Sequence, residues 1–289
     1  MTLLFSHRLA LLLLLSLSYN LIAEKSGLAI GTGDNSFNQM NCPDTFLTDI
    51  ACGGNHVIGI TEKGKLVAWG NNRSGQTNCP GGDGYTAIAA GDKHSVAIRN
   101  GLPVAWGNNT RGQTKCPKNI SGLIDISSRL HFTLGLKSDG TIIGWGDNLC
   151  DQLEVPKGTG FRAIAAGGLH AVAICSDGSL TAWGDSDGDK TKCPSGTNYI
   201  AISAGFDHTI ALKNNGSVVA WGVNNFGQLD YPKGTNFVAV SAGEFHNLAL
   251  RDDGSIISWG LDKNKRTKVP YNKNYFKISA GGRHNIFLK

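Results

Sequence analysis

Several things are scarce or missing in this chain, and each absence removes a class of protein. Charged residues make up only 17% of it, and the net charge of +5 is too mild to argue for a nucleic-acid partner. No run reaches the roughly 20 apolar residues of a membrane helix, so no span is expected in the mature chain. No cysteine pair has CxxC spacing, which leaves a structural zinc site without its ligands. There is no GxSxG, no HExxH and no phosphate-cradling glycine loop, so the usual signatures of hydrolases and nucleotide enzymes are lacking. Past the first two dozen residues nothing holds a helical period long enough to count.

What is present begins with a leader. His7 and Arg8 precede an apolar run from Leu9 to about Ser18, followed by a more polar end. This is the pattern of a secretory signal peptide, with Ala23 as the last residue removed. The sequence therefore predicts a signal peptide over 1–23 and a soluble mature chain over 24–289, secreted to an extracellular or periplasmic space. Seven cysteines remain, an odd number that forbids complete internal pairing. Cys42, Cys79, Cys116 and Cys193 each precede a proline at one repeated place, where successive equivalents are too far apart to bridge. They read as small apolar residues.

Glycine is abundant, at 39 residues, and points to many turns between short strands. Histidines fall at His56, His94, His131, His170, His208, His246 and His284. Tryptophans fall at Trp69, Trp106, Trp145, Trp183, Trp221 and Trp259. Both series repeat every 37 to 39 residues, and a proline follows each tryptophan by 11. A fixed period of this size signals a solenoid, a propeller or an array. One unit reads as four short strands: 85–91, 94–100, 103–108 and 112–117. Asp-Gly or Asn-Gly between the second and third supplies the positive φ of a tight hairpin. Four antiparallel strands per unit describe propeller blades.

The chain starts and ends on half-units. Residues 31–43 align with the third strand onward, with Thr32 in the place of tryptophan, and the last residues supply only two strands. Complementary halves close a ring and leave no sheet edge. The expectation is an all-β, seven-bladed β-propeller whose closing blade is a composite of both termini, residues 275–289 plus 27–43. The tryptophans would fill the spaces between blades. Each histidine would hydrogen-bond a neighbouring backbone group, a structural role that fits once-per-blade occurrence better than a metal ring does.

Units of the form AAGxxHxxAIxxDGxxxAWGxNxxGQ resemble the regulator-of-chromosome-condensation repeat, over essentially the whole chain from Gly27 to Lys289. With the leader, the chain is most similar in style to the secreted branch typified by the type II beta-lactamase-inhibitor protein. The resemblance implies a seven-bladed propeller with a composite closing blade. It also brings an alternative function, exchange of guanine nucleotide on a small GTPase or another signalling role, because the family's nuclear founder is an exchange factor. Other members bind lipids, ubiquitin-pathway partners or bacterial enzymes.

Residues that differ between units are free to do something other than build the ring. They collect in the loops joining strands one to two and three to four, which share a face. Phe206, Phe226 and Phe245, with Leu169 beside them, offer the aromatic anchors of a protein interface. Lys93, Arg129, Asp207, Glu244 and Arg283 offer its polar rim. Lesser signals are a basic stretch over 262–277, a calcium-like DSDGD at 185–189, and glycosylation sequons at Asn72, Asn108, Asn119 and Asn215. The reading is a secreted, monomeric, non-catalytic propeller without cofactor or metal. It would grip a protein partner on the loop face, as an enzyme inhibitor might do. An enzyme using the axial funnel is the remaining option.

Overall fold

The computed structural model describes residues 25–289; the predicted leader over 1–23 lies outside the described residues. Strand β1 (Ala29–Gly33) opens the chain and belongs to its last blade. Blade 1 is β2 (Leu47–Cys52), β3 (His56–Thr61) and β4 (Leu66–Gly70). Blade 2 is β5 (Tyr85–Ala90), β6 (His94–Arg99) and β7 (Leu102–Gly107). Blade 3 is β8 (Leu123–Arg129), β9 (Phe132–Lys137) and β10 (Ile142–Gly146). Blade 4 is β11 (Phe161–Ala166), β12 (His170–Cys175) and β13 (Leu180–Gly184). Blade 5 is β14 (Tyr199–Ala204), β15 (His208–Lys213) and β16 (Val218–Gly222). Blade 6 is β17 (Phe237–Ala242), β18 (His246–Arg251) and β19 (Ile256–Gly260). Blade 7 joins β20 (Lys277–Ala280) and β21 (His284–Leu288) to β1. The innermost strands β2, β5, β8, β11, β14, β17 and β20 touch in turn, and β20 returns to β2. The fold is a closed seven-bladed propeller.

The composite blade is present. β1 pairs antiparallel with β21 from Ala29 opposite Leu288 to Gly33 opposite His284. Just beyond, Leu28 and Lys289 exchange two backbone hydrogen bonds of 3.2 Å each. The blades have three strands, however, and not the four expected. The fourth segment is a side-chain-held turn. In blade 2, Asn109 Oδ1 accepts the Thr114 N–H at 3.1 Å, and the Lys115 N–H turns back to the Gly112 carbonyl. Asn35, Asn72, Asn148 and Asn224 hold equivalent turns in the same way. Backbone donors used inside a turn cannot extend a ladder.

The core lies between blades, as one apolar cluster per seam. Each tryptophan enters the seam with the preceding blade: Trp145 meets Val96 and Ile98, and Trp221 meets Val172 and Ile174. The first residue of five of the innermost strands, Leu47, Tyr85, Leu123, Tyr199 and Phe237, is buried there too, and Phe161 is partly so. Outside blade 7, a β-bulge follows that residue, so that the next residues turn to the axis.

A polar clasp runs through the same seams. His56 Nε2 lies 3.0 Å from Ser95 Oγ of blade 2, and Ser95 Oγ donates back to the Gln76 carbonyl at 2.7 Å. Trp106 Nε1 donates to that same carbonyl at 2.9 Å. Because the serine proton is committed, the imidazole must donate through Nε2. His94, His170, His208 and His246 repeat the bond with Thr133, Thr209, Asn247 and Asn285 of the next blade. The partner is a side chain of the next blade, not the backbone group expected from sequence. The buried residues Gln39, Gln113, Gln152, Lys190 and Gln228 offer the carbonyl that the other tryptophans reach.

Two seams differ. In blade 3 the register places Phe132 opposite Gly146, where the other blades place histidine opposite glycine. His131 is therefore one residue out of the repeat position, and Phe132 takes its place. The uneven spacing, 37 residues before His131 and 39 after, is the trace of this in the sequence. The following seam offers Ala171 where a polar acceptor stands elsewhere, so the pair has become apolar on both sides. In blade 7, His284 faces a seam whose equivalent position is Val57, and both of its ring nitrogens lack a partner.

Candidate partner-binding face

Loops one-to-two and three-to-four share a face because they are bonded to each other. Asn71, Asn108, Asp185, Val223 and Leu261, each just past a third strand, donate backbone N–H to Asn55, Lys93, Leu169, Asp207 and Phe245. Backbone bonds also run from blade to blade around the mouth, as from Gly54 to Gly91 and from Gly282 to Gly53. The hairpins lie on the opposite face, where Gly64, Gly101, Gly140, Gly178, Gly216 and Gly254 accept from the start of the next blade.

On the loop face the three phenylalanines come together. The rings of Phe206 and Phe245 are 5.6 Å apart, and those of Phe226 and Phe245 are 5.3 Å apart in an edge-on arrangement. Phe226 is 44% exposed, while Phe206 and Phe245 are half-buried beneath it. Edge-on packing fixes the patch before any partner arrives. Phe206, Glu244 and Arg283 line a 180 Å³ depression at the mouth of the ring. Phe37 lines it as well, under the Arg73 guanidinium at 5.1 Å. The sequence reading missed Phe37, although it occupies the same loop position in blade 7 as Phe226 does in blade 5.

The remaining predicted residues divide. Lys93 and Arg283 are exposed, as a rim requires. Leu169 is half-buried in the blade 4 loop, outside the aromatic contacts. Asp207 is turned toward the buried Lys190, at 3.2 Å, which it shares with Asp185. That ion pair also engages the DSDGD loop, whose Asp185 is held below its ordinary pKa by the Lys190 ammonium against a burial effect of opposite sign. Arg129 is not on the rim. It crosses the axis from blade 3 and donates to the Ala242 carbonyl of blade 6 at 2.8 Å.

The place of Arg129 follows from the altered blade. Gly53, Gly91, Gly167, Gly205, Gly243 and Gly281 sit where a Cβ would fall within 2.5 Å of their own blade's histidine ring. Blade 3 has phenylalanine instead of that histidine, and its equivalent of the glycine is Arg129. Burial brings the Arg129 pKa down to about 10, against the favourable charge of Glu244. Among the described residues no three His, Cys, Asp or Glu side chains converge as a metal site would need.

The repeat profile described as the regulator of chromosome condensation repeat matches residues 47–76, 161–188, 199–228 and 237–265. Four of its units are regulator of chromosome condensation repeats. They are blades 1, 4, 5 and 6; the altered blade 3 is not among them. No curated protein sequence matches the chain. Among solved structures it is similar to Prp20p from Saccharomyces cerevisiae, a protein with binding properties toward Gsp1p and histones. The TM-score is 0.77 at 16% identity, over 91% of each chain. It is similar also to the CRINKLY WD40 ectodomain of the Arabidopsis thaliana receptor kinase ACR4, with a TM-score of 0.71 at 22% identity, over 82% of this chain and 88% of that one. Human WBSCR16 gives 0.68 at 17%, over 85% and 88%. At such identities the likeness is one of fold.

Proposed function

We propose that this propeller is a secreted, non-catalytic binding protein that holds a protein partner on its loop face. The observation that carries the reading is the packed trio Phe206, Phe226 and Phe245, gathered from two blades on the face where the repeats diverge. Aromatic anchors surrounded by charged neighbours such as Glu244 and Arg283 make up the centre and rim of many interfaces. Secretion rests on the leader-like residues 1–23, and inhibition of an enzyme is a mode that a pre-packed aromatic patch suits. Exchange on a small GTPase is the alternative, and it draws on the repeat resemblance and on likeness of fold to Prp20p.

The test is capture from extracellular surroundings by the parent and by the Phe206→Ala, Phe226→Ala, Phe245→Ala variant, matched for thermal unfolding. The expected outcome is a partner bound by the parent and lost by the folded variant, with affinity down about a hundredfold or more. A partner kept equally by both would move the site off this patch.

A further inference from the structure

Below the mouth the axis of the ring holds an open cavity of about 520 Å³, lined by the innermost strands of all seven blades. Arg129 lies between this cavity and the mouth and borders both. Its charge is only partly matched inside the protein, by the Glu244 carboxylate acting on it without a direct ion pair. One guanidinium nitrogen reaches the Ala242 carbonyl, but Nε is sealed from solvent and has no partner. None of the ion pairs among the described residues includes Arg129. A half-buried, half-satisfied cation is costly unless something pairs with it.

The walls around it are rich in donors. Ser127, Ser203, Ser241 and Ser279 line the cavity, and each hydroxyl oxygen accepts a backbone N–H of the next blade, from Ala166, Ala242, Ala280 and Cys52. With the oxygen engaged as acceptor, each hydroxyl proton remains to be donated into the axis. Alanine fills this position in blades 1, 2 and 4, as Ala51, Ala89 and Ala165. The Ala242 whose carbonyl meets Arg129 is the one whose N–H meets Ser203, so guanidinium and hydroxyls share one end of the cavity. The acids that line the cavity, Asp49 and Asp125, stand near the start of their strands, at the far end, and Asp49 pairs with Lys277 at 2.7 Å.

We propose that this axial cavity binds a small oxyanion, a carboxylate or phosphate group, with Arg129 as its principal ligand and the serine hydroxyls as additional donors. The volume falls within the range of small-molecule sites. Charge-assisted bonds to a planar guanidinium are the strong kind. The inference is independent of the partner-binding reading, since it concerns the axis and not the aromatic patch.

Titration calorimetry with phosphate, acetate and citrate, at ionic strength held constant with potassium chloride, tests it. Saturable binding of at least one anion is expected, weakened roughly tenfold or more by Arg129→Gln. It should be unchanged in Arg283→Gln and in the triple phenylalanine variant. Which anion binds separates carboxylate from phosphate. Binding by none of them, or binding untouched by Arg129→Gln, overturns the proposal. If Arg129→Gln does not fold, the ¹⁵N resonance of Arg129 Nε–H in the wild-type protein decides. It moves saturably with the anion if the site is real, and stays still if Arg129 is only a strut across the ring.

Discussion

Burial holds the imidazoles of His56, His94, His170 and His246 down to a pKa of about 3, and those of His208 and His284 to about 4. An unfolded histidine titrates near 6.5. Between those values the unfolded chain binds protons that the folded ring refuses. Stability is then full above about pH 6.5 and falls as pH drops toward 4, with each histidine contributing up to about 1.4 kcal/mol per pH unit. Thermal unfolding from pH 8 to pH 4 should show a flat melting temperature at first and a steep decline below about pH 6. A flat profile throughout would mean that the histidines are not held neutral. The altered blade makes a second prediction. Phe132→His alone sets an imidazole against Ala171 and over Arg129, and should destabilise the ring by about 2 kcal/mol. Adding Arg129→Gly and Ala171→Thr rebuilds the clasp and should return most of the loss, read by urea unfolding. Sequence periodicity found the histidine series and carried the 37- and 39-residue spacings around His131, but did not by itself assign them to a slip of one residue. A count of spacings does not fix register, whereas the hydrogen-bonded pairing with Gly146 does.

The strands themselves were legible because alternation, Asp-Gly hairpins and the Trp-to-Pro spacing agree with one another. The expected fourth strand was not, because its pattern of Gly-Gln-Thr and Cys-Pro is the signature of a turn closed by an upstream Asn carboxamide, and such local bonds leave no trace in hydrophobic period. Missing tryptophan at Thr32 pointed correctly to the half-blade. There Thr32 Oγ1 lies 3.2 Å from Asn285 Nδ2, which also donates to the Arg266 carbonyl, as Asn247 donates to the Gln228 carbonyl beside Trp259. β1 supplies one edge of β21, and its blade supplies the Gln39 carbonyl for Trp69. A chain beginning at Asp44 loses both. It should show no cooperative unfolding transition, and amide exchange in β21 should be unprotected. A full melting transition with protected β21 amides would show that the ring does not depend on its composite blade.

At the scale of the molecule, the ring was readable and the use made of it was not. Phe206, Phe226 and Phe245 are far apart in the chain, and only closure of blades 5 and 6 brings their rings together. Arg129 looked like a rim residue because loops that differ between repeats usually face solvent. The absence of a histidine ring in its own blade is what lets it turn inward. The ends of the described chain carry a last consequence. Leu28 and Lys289 meet at the hairpin side of blade 7, because β21 starts at the loop face and runs away from it. Anything fused to either end departs from the side opposite the aromatic patch. Anchored to a bead, a fluorophore or another domain through its termini, the propeller therefore displays the patch outward, like a stud held by its shank.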